Sequence, residues 1–514
     1  MKSKFFISGI IALLILSGCQ KLDQEIVTTL NYNQVTKSYE YVKQLQSGVY
    51  SNVKNGFLYI NSQSMMASAT DESEHTLETA TVQKFNIGAW NAFDNPDNVW
   101  DDYFLGIRRA NEFLQSSDSV NLDLYKFDPL ASQQTVYLSR LAEIKNWKYE
   151  VRFLRAYFYF ELVKRYGGVP LLTKIGSIDD DYSNVKRNTL AECFKFIADE
   201  CDSAATILPV KYLLANDLGR ATKGAALSLK SRLLLYAASD LYNSPASWAS
   251  GYTHPELISV TGDRTAKWQA AADAARAVID LAGTSYALGS NYGSLFGTGT
   301  YNNAEVIFRR GNGSDNNFER ASIPIGYDLG QSGTTPSQNL VDEYEVKVNS
   351  TTSVPFNWSN PVHAANPYSG RDPRLSYTVL TNNTTLKGRP IEAWIGGLDG
   401  RPKDRASKTG YYLKKYVDTG LDLLQNKTSN HTWVIFRFAE LFLNYAEALN
   451  EATPGNVNIK IYVEQSASTQ RSGHARSKGR LKPGSDAQRD SSRTYDRICI
   501  RRPSFLGCPQ VDAR

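Results

Sequence analysis

Apolar residues recur every three or four positions through the first half of this chain, which is the spacing of one helix face. In segment 97–116 the residues at this spacing are Trp100, Phe104, Ile107 and Asn111. The same pattern predicts four further helices, at 136–166, 190–208, 220–242 and 266–283. The longest of them is followed by residues typical of a helix end, which are Gly167, Gly168 and Pro170.

Several of these helices interleave small and aromatic residues, as in RATKGAALSLKSRLLLYAASDLY at 220–242. Small side chains let neighbouring helices approach closely, and helices that come in pairs are typical of tetratricopeptide-type repeats. No strict period of about 34 residues can be read along the chain. An irregular helical bundle is therefore the alternative interpretation.

The pattern changes between about 285 and 430, where Gly, Asn, Ser, Thr and Pro cluster. Short runs at 304–309 and 410–417 are predicted to be strands, and helical spacing returns at 433–451. We therefore expect a mostly α fold of tetratricopeptide-like helix pairs with a loop-rich region that contains a few short strands. Binding residues concentrate on loops carried by a scaffold, so a binding site is expected in that region.

The N-terminus has the layout of a secretory signal peptide, with two lysines before an apolar run from Phe5 to Leu16. The run is too short to be a transmembrane helix. It closes with Leu-Ser-Gly-Cys, which resembles a bacterial lipobox, where the cysteine is lipidated and becomes the new N-terminus. We predict that 1–18 is removed and that Cys19 is the lipid attachment site. An ordinary signal peptide that happens to contain a cysteine is the alternative.

The distribution of charge argues against a nucleic-acid partner. The formal net charge is +5, and residues 461–514 alone carry +6. The rest of the mature chain is therefore mildly acidic, and it contains no basic stripe interleaved with aromatic residues.

No motif of a known catalytic or metal centre occurs in the chain. GxSxG, HExxH, P-loop and calcium-loop patterns are absent, and the five histidines are scattered. Cys193 and Cys201 lie too far apart on one predicted helix for a disulfide, so we interpret them as small buried residues. We expect a protein that is not an enzyme, with no catalytic residue, no metal and no cofactor.

Five segments carry a family resemblance. They are NVWDDYFLGIRRANEFL at 98–114, EVRFLRAYFYFELVKRYGGVPLL at 150–172, GRATKGAALSLKSRLLLYAASDLYN at 219–243, GRDPRLSYTVL at 370–380 and FRFAELFLNYAEALNE at 436–451. In this order, and behind a lipobox, they resemble the RagB/SusD family of outer-membrane nutrient-binding lipoproteins. The resemblance implies a SusD-like nutrient-binding body at 19–452, with the loop-rich insert at about 285–430.

The resemblance also implies a function. The protein would be lipid-anchored in the outer membrane and face outward, would capture a nutrient, most often an oligosaccharide or polysaccharide, and would deliver it to a TonB-dependent (SusC-like) transporter. Two alternatives stay open. The same scaffold could bind peptides, or the chain could be a helical-repeat interaction lipoprotein without a small ligand.

A glycan site would use aromatic faces against the C–H faces of sugars, with Asn, Asp and Arg taking the hydroxyls. The ligand-binding candidates outside the helices are Trp90, Tyr301, Tyr327 and Trp358, with Phe93 and Trp394 as further aromatic residues in the same kind of loop. In SusD-like proteins the site lies in loops after the first helices and in the central loop-rich region. Trp90 and Tyr327 fall in comparable places, but no motif matches the family residue by residue.

The resemblance stops near Pro454, and residues 465–514 are Ser- and Arg-rich without periodicity, as in a disordered basic tail. With suitable synonymous codons, 493–513 read one nucleotide later can give ERMIEFAFEGHRFWDVRRWM, which is close to the usual ending of the family. We therefore interpret 453–514 as an aberrant tail that follows a single-base frameshift between about Glu451 and Gln465.

Overall fold

The computed structural model describes residues 35–470, except Ile178, 245–247, Thr284, Ser290, 299–302 and 350–351. Within them the long helices are α1 (Tyr39–Tyr50), α2 (Trp100–Ser116), α3 (Ala131–Tyr166), α4 (Leu190–Ile207), α5 (Lys223–Ala238), α6 (Arg264–Ile279), α7 (Phe438–Ala452) and α8 (Val457–Gln470). Shorter helices span Gln83–Asn86, Asp123–Lys126, Asp240–Asn243, Asn317–Ser322, Gln338–Asp342, Pro361–Ala365 and Arg374–Thr378, with 3-10 turns at Met66–Ala69, Ala215–Asp217, Pro255–Leu257 and Gly293–Leu295.

The described strands form antiparallel pairs, and all except the two strands of one pair are only two or three residues long. The pairs are β1 (Ser73–His75) with β3 (Thr334–Pro336), β2 (Val306–Asp315) with β10 (Ser429–Arg437), β4 (Val346–Lys347) with β5 (Ser353–Val354), β6 (Val379–Leu380) with β9 (Tyr412–Leu413), and β7 (Thr385–Leu386) with β8 (Arg389–Pro390). In the longest pair, Arg309 of β2 lies opposite Val434 of β10. The prediction of a mostly α fold with a few short strands is confirmed.

The ends of α3 and α4 follow from local sequence. The predicted end of α3 at residue 166 is confirmed, because Gly167 adopts a φ of +72° that L side chains rarely take. A Cβ at Gly167 would also lie 2.3 Å from the carbonyl oxygen of Leu257. α4 begins with a capping box, in which Thr189 Oγ1 accepts from the backbone N–H of Glu192 and the Glu192 carboxylate accepts from that of Thr189.

The long helices pack in chain order, each against the next, from α1 to α8. α3 is the centre of this array, because every residue from Val151 to Val163 is buried except Arg152. A helix that is buried all round shows apolar residues on every face rather than on one stripe. Side chains from α1 to α7 form the main hydrophobic core. Cys193 and Cys201 are free thiols, and both are fully buried in this main core, as predicted.

Two predicted elements are corrected. Residues 433–437 belong to β10 rather than to a helix, and the helix α7 begins at Phe438. Their apolar run is consistent with a buried strand or a buried helix, and only the pairing with the distant β2 decides between them. The strand predicted at 410–417 is limited to Tyr412–Leu413, because the backbone N–H groups of Lys414 and Lys415 both donate to the carbonyl of Thr378 instead of continuing the ladder.

The segment predicted as an aberrant tail, 453–514, begins with the helix α8. Ile459 and Tyr462 of this helix pack against the main core, and the Tyr462 ring lies 4.9 Å from that of Tyr445. This apolar contact holds α8, at the start of the segment, against the main core. Residues 471–514 lie outside the described residues, so the frameshift stays a prediction.

Candidate functional site

The loop-rich region presents a partly exposed tryptophan, Trp358, between β5 and the helix Pro361–Ala365. The Trp358 residue is 47% exposed, and its indole Nε1 donates to Oδ2 of Asp342 at 3.0 Å. The ring of Phe356 lies edge-on to it at 4.9 Å between centroids. The indole is therefore fixed by a hydrogen bond and a ring contact while nearly half of the residue stays open to solvent.

A chain of hydrogen bonds leads away from the same carboxylate. Gln338 Nε2 donates to Oδ1 of Asp342 at 2.7 Å, Tyr411 donates to Oε1 of Gln338 at 2.8 Å, and Tyr368 donates to Tyr411 at 3.2 Å. Burial raises the pKa of Tyr411 above its ordinary value, so its phenol stays protonated as a donor. We call Trp358 and these four residues the Trp358 surface.

The short helix Gln338–Asp342 positions the carboxylate of this surface. Its N-cap is Ser337, whose Oγ accepts from the backbone N–H of Leu340 at 3.2 Å. The backbone N–H of Ser337 itself donates to the carbonyl of Glu72 at 2.8 Å. The helix is thus anchored to the segment that leads into β1, far away in the sequence.

Arg371 holds the other side of the Trp358 surface. Its guanidinium donates to the carbonyl oxygens of Tyr344 at 2.7 Å and Pro367 at 2.6 Å, and also to that of Val341. It lies 4.1 Å over the ring of Phe356, a cation–π distance. Burial lowers the pKa of Arg371 from its ordinary value. One side chain therefore joins the end of the helix Gln338–Asp342 to the loop segments at Tyr344 and Pro367.

Trp90 lies in a separate structured turn after the helix Gln83–Asn86. It is 48% exposed, and Phe93 beside it in the sequence is fully exposed. Lys84 pairs with Asp94 at 2.6 Å, and Oδ1 of Asn91 accepts from the backbone N–H groups of Phe93 at 2.8 Å and Asp94 at 3.1 Å. The turn thus holds two aromatic side chains toward solvent.

Tyr327 is placed differently, because it is only 8% exposed. The Arg389 guanidinium lies 3.6 Å from its ring centroid and is held there by two hydrogen bonds of 2.8 Å to Asp399. Burial raises the pKa of Tyr327 to about 12. Its ring face is occupied by Arg389, so the structure leaves little of this residue for a ligand.

The candidates do not form one site by direct contact. Trp90, Tyr327 and Trp358 share none of the neighbours described above, and Trp394, which is 48% exposed, lies in a further loop after β8. Tyr301 and the lipid attachment candidate Cys19 lie outside the described residues. Of the residues expected from the sequence, Trp358 has the best developed polar surroundings.

Sequence reasoning missed the polar members of the Trp358 surface, which are Gln338, Asp342, Tyr368 and Tyr411. Asp342 precedes Trp358 by 16 positions, and no local pattern links the two. A capped helix at 337–342 could have been recognised from its Ser N-cap, but the contact with a tryptophan could not.

A cavity of about 50 Å³ lies between the N-terminal end of α5 and β2, with Tyr212, Arg220 and Arg309 in its lining. Ligand pockets for organic molecules usually enclose roughly 300 Å³ or more. This cavity is therefore too small for a sugar ring, and an exposed surface remains the better glycan-binding candidate.

None of the helices in the described part of the chain combines the length and the apolar character that a membrane crossing requires. Likewise, no group of three or more His, Cys, Asp or Glu side chains within those residues is arranged to hold a metal ion.

Two family models match the chain. The model described as the SusD family matches residues 301–465, and the model described as starch-binding associating with outer membrane matches residues 22–235. Together they cover α1 to α4, most of α5, α7, most of α8 and the loop-rich region from residue 301, but not α6. This chain belongs to the SusD family, as its five motifs predicted. No curated protein sequence matches it closely enough to be counted as a relative.

Solved structures share the fold at low sequence identity. A SusD-like protein from Bacteroides fragilis is 24% identical with a TM-score of 0.69, over 92% of this chain and 85% of that one. A SusD-like carbohydrate-binding protein from the same species gives 22% and 0.68, over 90% and 84%. Surface glycan-binding protein A from Bacteroides uniformis gives 16% and 0.58, over 90% and 86%. The SusD-like, tetratricopeptide-like helical fold is therefore confirmed.

Proposed function

We propose that this protein binds a glycan at the cell surface and that the Trp358 surface is its main contact. The observation that carries the proposal is a partly exposed indole that a carboxylate holds in place. The description of the family model that matches residues 22–235 names starch binding, which supports a glycan as the ligand. An aromatic ring stacks on the apolar C–H face of a sugar, while hydroxyl and carboxylate groups beside it bind the sugar hydroxyls.

The contacts around Trp358 favour binding because they fix the indole before a ligand arrives. A free tryptophan side chain loses rotamer freedom when it stacks on a ligand, at a cost of roughly 0.5–1.5 kcal/mol. The hydrogen bond to Asp342 and the ring contact with Phe356 restrict the indole already. Tyr368, which is 38% exposed, adds a second ring and a hydroxyl at the far end of the hydrogen-bond chain.

We propose Trp90 as a secondary contact for a longer glycan. Its turn is held by the Lys84–Asp94 ion pair and the Asn91 side chain, independently of the Trp358 surface. An oligosaccharide that spans both would gain affinity through the effective concentration of its second segment. Tyr327 is a weaker proposal, because Arg389 covers its ring.

The membrane association that the family description names supports three finer proposals. Cys19 carries the lipid, the body faces outward, and the bound glycan passes to a TonB-dependent transporter of the SusC-like kind. A tethered binder would raise the ligand concentration at the transporter without any covalent chemistry. Mass spectrometry of the mature N-terminus and cross-linking of intact cells test the lipid and the transporter separately.

Calorimetry with a panel of glycans and peptides tests the binding proposal. We expect a glycan response that Trp358→Ala weakens about tenfold, which corresponds to about 1.4 kcal/mol, and that Trp90→Ala weakens less. Trp248→Ala is the matched control, because Trp248 is 51% exposed and donates its indole N–H to a backbone carbonyl outside the loop-rich region.

Two results would contradict this proposal. Binding of peptides alone would replace the glycan assignment, and equal losses in Trp358→Ala and Trp248→Ala would remove the Trp358 surface as the site. Capture of a transporter without any measurable glycan or peptide binding would favour an interaction protein without a small ligand.

We also propose that the reading frame changes between about Glu451 and Gln465, which leaves 19–452 as the family body and 453–514 as an aberrant tail. The SusD-family match ends at residue 465, in line with that interval. Sequencing of the gene tests this: the shifted frame is expected to encode ERMIEFAFEGHRFWDVRRWM over 493–513, and any other coding there would end the proposal.

A further inference from the structure

Five large apolar side chains lie exposed within one short stretch that joins the helix Asp123–Lys126 to the first third of α3. They are Leu124 (78% exposed), Phe127 (71%), Leu130 (60%), Leu138 (64%) and Leu141 (42%). We call these five residues the α3 ridge. Clusters of exposed apolar residues on a soluble body mark an interaction surface.

The turn that carries the ridge is held in shape by polar contacts. Gln134 Nε2 donates to the carbonyl oxygens of Tyr125, Lys126 and Asp128 at 3.1, 3.0 and 2.6 Å. Leu122, only 6% exposed, fixes the start of the turn in the main core. Leu124 and Phe127 are therefore held toward solvent by ordered backbone.

The ridge lies beside the start of the described chain. The backbone N–H of Asn121 donates to the carbonyl of Lys37 at 2.9 Å, and Tyr39 donates to Glu143 at 2.6 Å. The Arg140 guanidinium lies between the rings of Tyr39 and Tyr125, at 4.3 and 4.2 Å from their centroids. The N-terminal segment thus enters the fold next to Leu138 and Leu141.

This position connects the ridge to the proposed lipid anchor. Residues 20–34 separate Cys19 from the described chain, and they reach at most about 50 Å when extended. From Leu130 to Leu141 the ridge rises about 16 Å along α3. A lipidated Cys19 would therefore keep the ridge within reach of the bilayer.

We propose that the α3 ridge contacts the lipid surface itself, with Leu and Phe side chains entering the headgroup boundary. This inference rests on the proposed anchor at Cys19. Burial of apolar area at an interface adds to the attachment that the acyl chains on Cys19 provide and would fix the orientation of the body on the membrane. Lys126, with its ammonium 5.1 Å from the Phe127 ring, lies where lipid phosphates would be. Asp123 and Asp128 in the same turn offset that charge, so the contact is mainly apolar.

Flotation with vesicles of phosphatidylethanolamine and phosphatidylglycerol tests the proposal. The probe is the full mature chain with Cys19→Ser, so no attached lipid contributes to binding. We expect measurable vesicle binding that added salt changes little, because apolar contacts are not screened. The double variant Leu124→Ser/Phe127→Ser is expected to lower the partition coefficient about tenfold or more, since both side chains lose the apolar area that they would bury in the interface.

The matched control is Leu213→Ser/Leu214→Ser, which removes two leucines that are 88% and 69% exposed away from the ridge. It is expected to bind vesicles within about twofold of the parent, because surface changes without specific contacts have small effects. Equal losses in both double variants, or no vesicle binding by the parent chain, would overturn the proposal. The glycan affinity of the ridge variant is measured alongside, so failure here stays distinct from failure of the proposed function.

Two further outcomes would assign the ridge to another occupant and also overturn the proposal. If only a chain that begins at Val35 binds vesicles, the segment 20–34 of the chain itself covers the ridge. If the ridge variant binds vesicles normally but no longer cross-links to the transporter in cells, the occupant is the transporter.

Discussion

The helical array and the loop-rich region are held together by different interactions. In the array, consecutive helices bury large side chains against each other, as where Phe158 stacks with Tyr103 at 5.7 Å between ring centroids. In the loop-rich region, charged side chains such as Arg371 and Arg389 pair with loop carbonyls and carboxylates. The array therefore depends mainly on one large apolar core, which also holds ion pairs such as Arg155–Glu200, whereas the loops combine small apolar clusters with a few polar side chains that leave aromatic rings exposed.

This difference indicates where substitutions separate stability from binding. Changes in the array should lower the free energy of unfolding and leave the binding surface intact until the protein unfolds. Changes in the loops should alter binding at little cost in global stability, because loops open locally without unfolding the rest.

The largest effect is expected from Phe158→Ala in α3. Phe158 is 0% exposed, so its loss leaves a cavity and should lower the free energy of unfolding by about 3–5 kcal/mol. Denaturant unfolding measures this, and Phe93→Ala, at a fully exposed position, is the control with a change below about 0.5 kcal/mol. Similar losses in the free energy of unfolding at both positions would show that burial in the array does not determine its stability.

Arg371→Ala should loosen the loops rather than the whole protein. Three carbonyl oxygens lose a charged donor, and each affected group costs about 1–3 kcal/mol if it stays buried. We expect faster amide hydrogen exchange around 338–344 and weaker glycan binding, with exchange in α3 unchanged. Uniform acceleration in both regions would show that the loops are part of one cooperative unit.

The buried pair His431–Glu319 joins β10 to the loop-rich region and should make stability depend on pH. His431 Nε2 lies 2.8 Å from Oε1 of Glu319. Although burial lowers it, the hydrogen bond and charge of Glu319 hold the pKa of His431 above its ordinary value. The folded protein therefore binds this proton more tightly than the unfolded chain does.

The pair should stabilise the fold fully below about pH 6.5, the unfolded value, and lose this contribution as the pH rises through the raised folded pKa. The stability difference between the parent and His431→Gln is expected to reach about 1.5 kcal/mol at low pH and to shrink at high pH. Thermal unfolding across pH measures it, with the exposed His254→Gln as control. A stability difference that grows as the pH rises would show that folding lowers the pKa of His431 instead of raising it.

The smallest effect is expected from Asp342→Ala, which frees the indole of Trp358 without removing it. Asp342 is partly exposed, so water competes for the hydrogen bond between its carboxylate and the indole N–H; glycan affinity should therefore fall only about threefold while the unfolding transition stays in place. Asn339→Ala, on the exposed side of the same helix, should change neither quantity. Unchanged affinity in Asp342→Ala would show that the orientation of the indole does not limit binding.

The described helices were largely predictable from sequence because their signals are local. The Gly167 stop and the apolar spacing of α2 and α4 depend on residues within one or two turns. Residues 433–437 were not predictable, because a short apolar run fits a buried strand as well as a buried helix. Only the segment that it pairs with decides between the two. That partner, β2, precedes it by more than a hundred residues.

The sequence by itself determined the helical array, its order and its family, since helix periodicity, caps and motifs are encoded along the chain. It also identified Trp90 and Trp358 as aromatic residues outside helices, and both are partly exposed. Only the tertiary structure decided that Tyr327 lies beneath Arg389 and that Asp342 fixes Trp358. The exposure and polar neighbours of a loop residue depend on segments far away in the chain, because loops take their shape from the side chains that satisfy their backbone.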